Sequence, residues 1–153
     1  MGVATFGAGC FWGAEAAFRG IEGVIATTVG FASSSDFDPE EAEACANGPA
    51  DAEVVRVEYD PAEISYESLL DAFWDMHDPT LTNGVEPRVC DQTRSTVLYH
   101  DEAQRAAAER SLSALERSGQ HERPILTEIA PAGPFLMAAD HHQRYLEKQA
   151  GAF

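Results

Sequence analysis

Cys10 has the setting of a nucleophile. It lies in GAGCFWGAE, residues 7–15, with glycines at 7, 9 and 13 and two large aromatics, Phe11 and Trp12, directly after it. The pattern predicts a short strand over 3–9, a glycine turn, and a helix over 10–20. A thiol at a helix start faces unpaired backbone N–H groups and the positive end of the dipole. Both favour the thiolate, which is the reactive form. The glycines permit close approach of a ligand to the backbone, and Phe11 with Trp12 would wall an apolar slot for a group as small as a methyl. The plain structural alternative is a small buried cysteine beside two core aromatics.

Glu53 is the second candidate. Residues 51–60, DAEVVRVEYD, alternate as a strand does, with Val55, Val57 and Tyr59 on one face. Glu53 falls in phase with that apolar face. A carboxyl group desolvated there favours its neutral form, the form that acts as a general acid. The alternative is a frayed strand end with Glu53 in water.

These two residues need a scaffold, and the rest of the chain predicts one. Strands are expected at 24–31, 94–100 and 124–131. Helices are expected at 65–78, where Ser65 is a natural N-cap, and at 101–119, where Asp101 and Gln104 have capping-box spacing and Gly119 follows the end. In the first of these, Tyr66, Leu69, Leu70, Phe73 and Trp74 form a core stripe. A closing helix is expected at 138–149, a helical turn near 39–46, and a long loop at 79–93. Strands and helices mix without strict alternation, which predicts an α+β fold with helices packed on a sheet.

Composition narrows the function. The chain has 153 residues, 44% of them hydrophobic, enough for one domain with a core. Its 26 acidic and 10 basic residues give a net charge of −16, which repels phosphate backbones and argues against nucleic-acid binding. No run approaches the roughly 18 apolar residues of a membrane span. Three cysteines and no secretory signal predict free thiols and a cytoplasmic setting. His141 and His142 are adjacent and make a poor metal pair, no spacing resembles a zinc site, and no phosphate loop or dinucleotide fingerprint is present. No metal or cofactor is expected.

GCFWGAE, AEVVRVEYDP, FWDMHDPT, QTRS and ILTEIAPAGPF…HHQRYLEK occur in that order over nearly the whole chain. Together they resemble the class A methionine sulfoxide reductases. The resemblance implies a single domain over 1–153 with an MsrA-like fold, a two-layer α/β sandwich with a ferredoxin-like core. It implies reduction of the S-epimer of methionine sulfoxide, free or peptide-bound. Cys10 would attack the sulfur, Phe11 and Trp12 would hold the S-methyl group, and Glu53 would protonate the oxygen. A second thiol would convert the resulting sulfenic acid to a disulfide, and thioredoxin or a small thiol would restore the site.

The chain also departs from that family's pattern. GYxGG is GFASS, so Phe31 lacks a hydroxyl, and GHAE is ADAE. A family tyrosine that bonds the sulfoxide oxygen aligns with Glu41. In RVCDQTRS a family aspartate is Arg88, a glycine is Cys90, a threonine is Asp91, and a second tyrosine is Thr93. The family's cysteine-bearing tail has no counterpart before the chain stops at QAGAF. Glu41, Arg88 and Thr93 are therefore the expected substrate-binding residues, with Arg88 able to fork onto a carboxylate, to pair with Glu41, or to lie in solvent. Cys90 is the candidate resolving thiol, ahead of Cys45. The alternative readings are a diverged enzyme using Cys10 on a small anionic substrate, and a binding protein with a redox-sensitive thiol.

Overall fold

The alternation over residues 51–60 produces a strand whose two faces both meet apolar partners. The computed structural model describes residues 2–9, 11–34, 52–80, 94–138 and 142–143. Its elements are β1 (Gly2–Gly7), α1 (Phe11–Arg19), β2 (Val24–Ser34), β3 (Ala52–Tyr59), α2 (Tyr66–Asp75), β4 (Thr96–Tyr99), α3 (Glu102–Ser118) and β5 (Glu128–Met137). Val55, Val57 and Tyr59 of β3 enter the main core, while Ala52 and Val54 enter a smaller one on the opposite face.

β1 lies between β3 and β4, and β3 lies between β1 and β2, all antiparallel. This order, β4-β1-β3-β2, with α1 after β1 and α2 between β3 and β4, is that of a ferredoxin-like core. β5 then joins the two outer strands, antiparallel to β2 and parallel to β4, so the sheet closes into a ring. The expected α+β class and core are thus present, and the ring adds an interior. Ala32, Ala52, Val54, Leu98 and Ala130 fill it, with Ala132 and Phe135 against them.

The main core centres on Phe6. Its ring stacks on Phe18 at 5.1 Å, Phe73 at 5.2 Å and Tyr66 at 5.9 Å, joining β1 to α1 and α2. The helix ends follow their signals. The Ser65 hydroxyl accepts from the Ser68 N–H, and the Asp101 carboxylate accepts from the Gln104 N–H at 2.8 Å. Gln104 reaches back to accept from the His100 N–H, and its amide donates to the Val3 carbonyl, tying α3 to β1. Gly119 ends α3 with φ 71°.

β5 runs beyond the expected strand, to Met137. Pro131 and Pro134 each remove an N–H donor, and that is why the sequence pattern ends the strand at Pro131. Of the expected closing helix, Ala138, His142 and Gln143 are described. The loop over 79–93 is described only to Thr80 and the turn near 39–46 lies outside the described residues.

β2 and β5 meet closely at Gly30. A Cβ on Gly30 would fall against the Leu136 carbonyl oxygen and lie 2.7 Å from Phe135 Cζ. Gly30→Ala should therefore cost about 1–3 kcal/mol as β5 is pushed away, measured as a lower urea midpoint.

His77 ties α2 to the strands. Its Nδ1–H donates to the Phe73 carbonyl at 2.7 Å, and its Nε2 accepts from the Ser95 hydroxyl at 2.7 Å. Thr127 in turn donates to Ser95 at 2.8 Å. Burial pushes the imidazole below its ordinary value of 6.5, against the opposing pull of the Phe73 carbonyl. Below pH 6.5 the unfolded chain takes up a proton that folded His77 refuses. The stability His77 contributes is full above pH 6.5 and declines as pH falls through that value toward the folded one. The stability advantage of the wild type over His77→Gln should shrink as pH drops below 6.5, read from paired melting curves.

Candidate active site

α1 begins where three backbone segments crowd together. A Cβ on Gly7, the last residue of β1, would lie 2.7 Å from Thr96 Cγ2 and 3.2 Å from the carbonyl oxygens of Glu53 and Arg94. The chain then turns through Gly9, with φ 87°, and α1 opens at Phe11. Only a residue without a side chain suits this left-handed turn at low cost.

α1 has no acidic residue in its first turn and Arg19 in its last. The negative group at its N-terminus comes from β3 instead. The Phe11 N–H donates to Glu53 Oε1 at 3.4 Å. The donor belongs to the Cys10–Phe11 peptide, so the carboxyl group lies one peptide unit from the cysteine. Glu53 is half-buried, on the face its phase predicted.

Aromatic rings form the wall beside it. Phe11 is 4% exposed and packs on Phe31 at 5.6 Å and on His142 at 5.6 Å. Trp12 is half-buried and stacks on His142 at 5.6 Å, and its indole N–H donates to His142 Nδ1 at 3.1 Å. That bond fixes the imidazole as the acceptor at Nδ1. Gln143 holds the segment in place. Its side-chain oxygen accepts from the Val29 N–H, and its side-chain NH₂ donates to the Val29 and Ala138 carbonyls, all within 2.9 Å.

Glu15 anchors the helix from below. It is 1% exposed, and the Thr27 hydroxyl donates to it at 2.8 Å while Arg19 donates to Thr27. Sequence reasoning passed over Glu15, although it shares the buried stripe of Phe11, Ala14 and Phe18. It weighed His142 only as a poor metal ligand and passed over Gln143, because their partners Trp12 and Val29 are more than 100 residues away and carry no local signal.

Of the expected site residues, Phe11, Trp12 and Glu53 come together at the start of α1. Cys10, Glu41, Arg88, Cys90 and Thr93, and the spare thiol Cys45, lie outside the described residues. Among the described residues no group of three His, Cys, Asp or Glu side chains is arranged to hold a metal ion. None of their helices is long and apolar enough to cross a membrane.

The family model for peptide methionine sulfoxide reductase matches residues 2–153. The chain belongs to the peptide methionine sulfoxide reductase family. It is 49% identical over 146 residues to peptide methionine sulfoxide reductase MsrA of Methanosarcina acetivorans, covering 95% of this chain and 78% of that protein. Among solved structures it resembles reduced Mxr1 of Saccharomyces cerevisiae, with TM-score 0.78 and 27% identity over 99% of this chain and 87% of that one. It also resembles Mxr1 in complex with Trx2, with TM-score 0.65 and 25% identity over 94% of this chain and 84% of that one.

The activity is reduction of methionine sulfoxide, as a peptide-methionine (S)-S-oxide reductase. The alternative of a different, small anionic substrate is not favoured, since relatives near half identity over almost the full chain carry the reductase name. In a methionine sulfoxide reductase the wall of Phe11, Trp12 and Phe31 has the apolar character that a methyl thioether requires.

The Trp12–His142 bond should be separable from simple packing. A double-mutant cycle of Trp12→Phe and His142→Ala should give a coupling of about 0.5–1.5 kcal/mol in unfolding free energy. Strict additivity would mean that the bond contributes nothing.

Proposed function

We propose that residues 1–153 act as one reductase domain in which Cys10 is the nucleophile and Glu53 the general acid. The observation that carries this reading is the contact of Glu53 Oε1 with the Phe11 N–H, one peptide unit from Cys10. The Cys10 thiolate attacks the sulfoxide sulfur, and an S–S bond forms as electrons move onto oxygen. Glu53 supplies a proton to that oxygen, which is a poor leaving group without one. The hydroxyl group so formed leaves the substrate sulfur and attacks the Cys10 sulfur, and the S–S bond breaks with its electron pair going to the substrate sulfur. The sulfoxide becomes the thioether, and the thiol becomes a sulfenic acid on Cys10.

Phe11 and Trp12 hold the S-methyl group, and Glu41, Arg88 and Thr93 contact the rest of the substrate. A second thiol, for which Cys90 is the candidate, attacks the sulfenic acid and releases water to leave a disulfide. A dithiol such as thioredoxin, or small thiols, then reduces it. The complex of the relative Mxr1 with Trx2 supports a protein reductant. A cytoplasmic setting suits thiols that must cycle through the reduced form.

Cys10→Ser should abolish turnover of methionine S-sulfoxide with dithiol, and Glu53→Gln should lower kcat by about 10²–10⁴-fold. Mixing the wild type with sulfoxide and no reductant should add one oxygen or remove two hydrogens, seen by intact mass spectrometry. Undiminished turnover in either variant would overturn that residue's role.

A further inference from the structure

The sheet face that carries Glu53 continues across two more strands. Glu53 on β3 pairs with Phe31 on β2, and Phe31 pairs with Leu136 on β5. Directly paired residues project from the same face, so the three side chains form one row leading away from the carboxyl group. The neighbours agree. Phe135 and Ala32, one step along, turn toward the ring interior, while Ala138 joins the main core on the helix side.

Leu136 is 67% exposed. The fold therefore leaves a large apolar side chain in water at the end of the row, on a chain of net charge −16. Strands lie about 4.8 Å apart, so Leu136 is roughly 10 Å from Glu53, a distance that an extended peptide covers in about three residues. On the site reading above, a methionine sulfoxide side chain that entered beside Phe11 and Phe31 would bring its own backbone toward Leu136.

We propose that Leu136 is a specificity residue, taking an apolar side chain within about three residues of the sulfoxide in a peptide substrate. The inference rests on the site reading above, with Cys10 and Glu53 as the reacting groups. It makes the enzyme sensitive to sequence around the oxidised methionine. The contact acts on peptide binding and leaves the oxygen transfer itself untouched.

The test uses two short blocked peptides that differ only beside the methionine sulfoxide, one with leucines and one with glycines. The wild type should favour the leucine peptide in kcat/KM by about fivefold or more, the scale of partly burying one leucine. Leu136→Ser should reduce that preference to within about twofold, mainly through KM, and Leu136→Met should keep it. Melting temperatures close to wild type confirm that both variants fold. No preference in the wild type, or an unchanged preference in folded Leu136→Ser, overturns the inference while the site reading stands, provided Cys10→Ser is inactive. Turnover that persists in Cys10→Ser overturns the site reading and the inference with it.

Discussion

The first turn of α1 has no acidic residue of its own to meet its N–H groups, and Glu53 reaches in from β3 to accept from the first of them, that of Phe11. Much of the site's geometry follows from that. The helix must start against the beginning of β3. The preceding chain must then pass through a gap that tolerates only glycine at position 7, and turn through the positive φ of Gly9. Phe11 and Trp12 are the first residues of the helix, so their rings are delivered beside the carboxyl group. Glu15 and Thr27 fix the same helix to β2 one turn later.

The closed ring serves the same region from the other side. In a four-stranded ferredoxin-like sheet β2 would be an exposed edge, with unpaired backbone groups. β5 covers that edge and joins it to β4. Close approach at Gly30 lets β5 lie against the part of β2 that carries Phe31. A ring of five strands has little interior volume, and Ala32, Ala52 and Ala130 share it with Val54 and Leu98. Most of the large buried side chains lie on the helix face, where the main core and the site both lie.

Much of this was readable in the sequence because it is local. Alternation over 51–60 gave both the strand and the side on which Glu53 stands. The stripe from Tyr66 to Trp74 gave a core helix, and the Asp101–Gln104 spacing gave a helix start. The far end of β5 was hidden because prolines there break the local signature of a strand while β2 still holds it. His142 was hidden for a different reason. Its place against Trp12 depends on the route of the whole chain, and adjacent histidines suggest only that they do not share a metal. Glu15 was legible in principle, as a carboxylate on a buried helical stripe. Glu41, Arg88, Cys90 and Thr93 lie outside the described residues and are a matter of sequence alone.

Gln143 offers Val29 one acceptor and one donor, as a neighbouring strand residue would. A single side chain thus extends the sheet by one rung where the strand has ended. The rung carries its neighbour with it, for His142 is bonded to Trp12 and stacked on both aromatics. Phe31 rides on β2 two residues beyond Val29. The imidazole and the phenyl ring that flank Phe11 are therefore mounted on one strand, although more than a hundred residues separate them in the chain. Any sliding of β2 would shift both flanks together, and the width of the slot between them would be preserved.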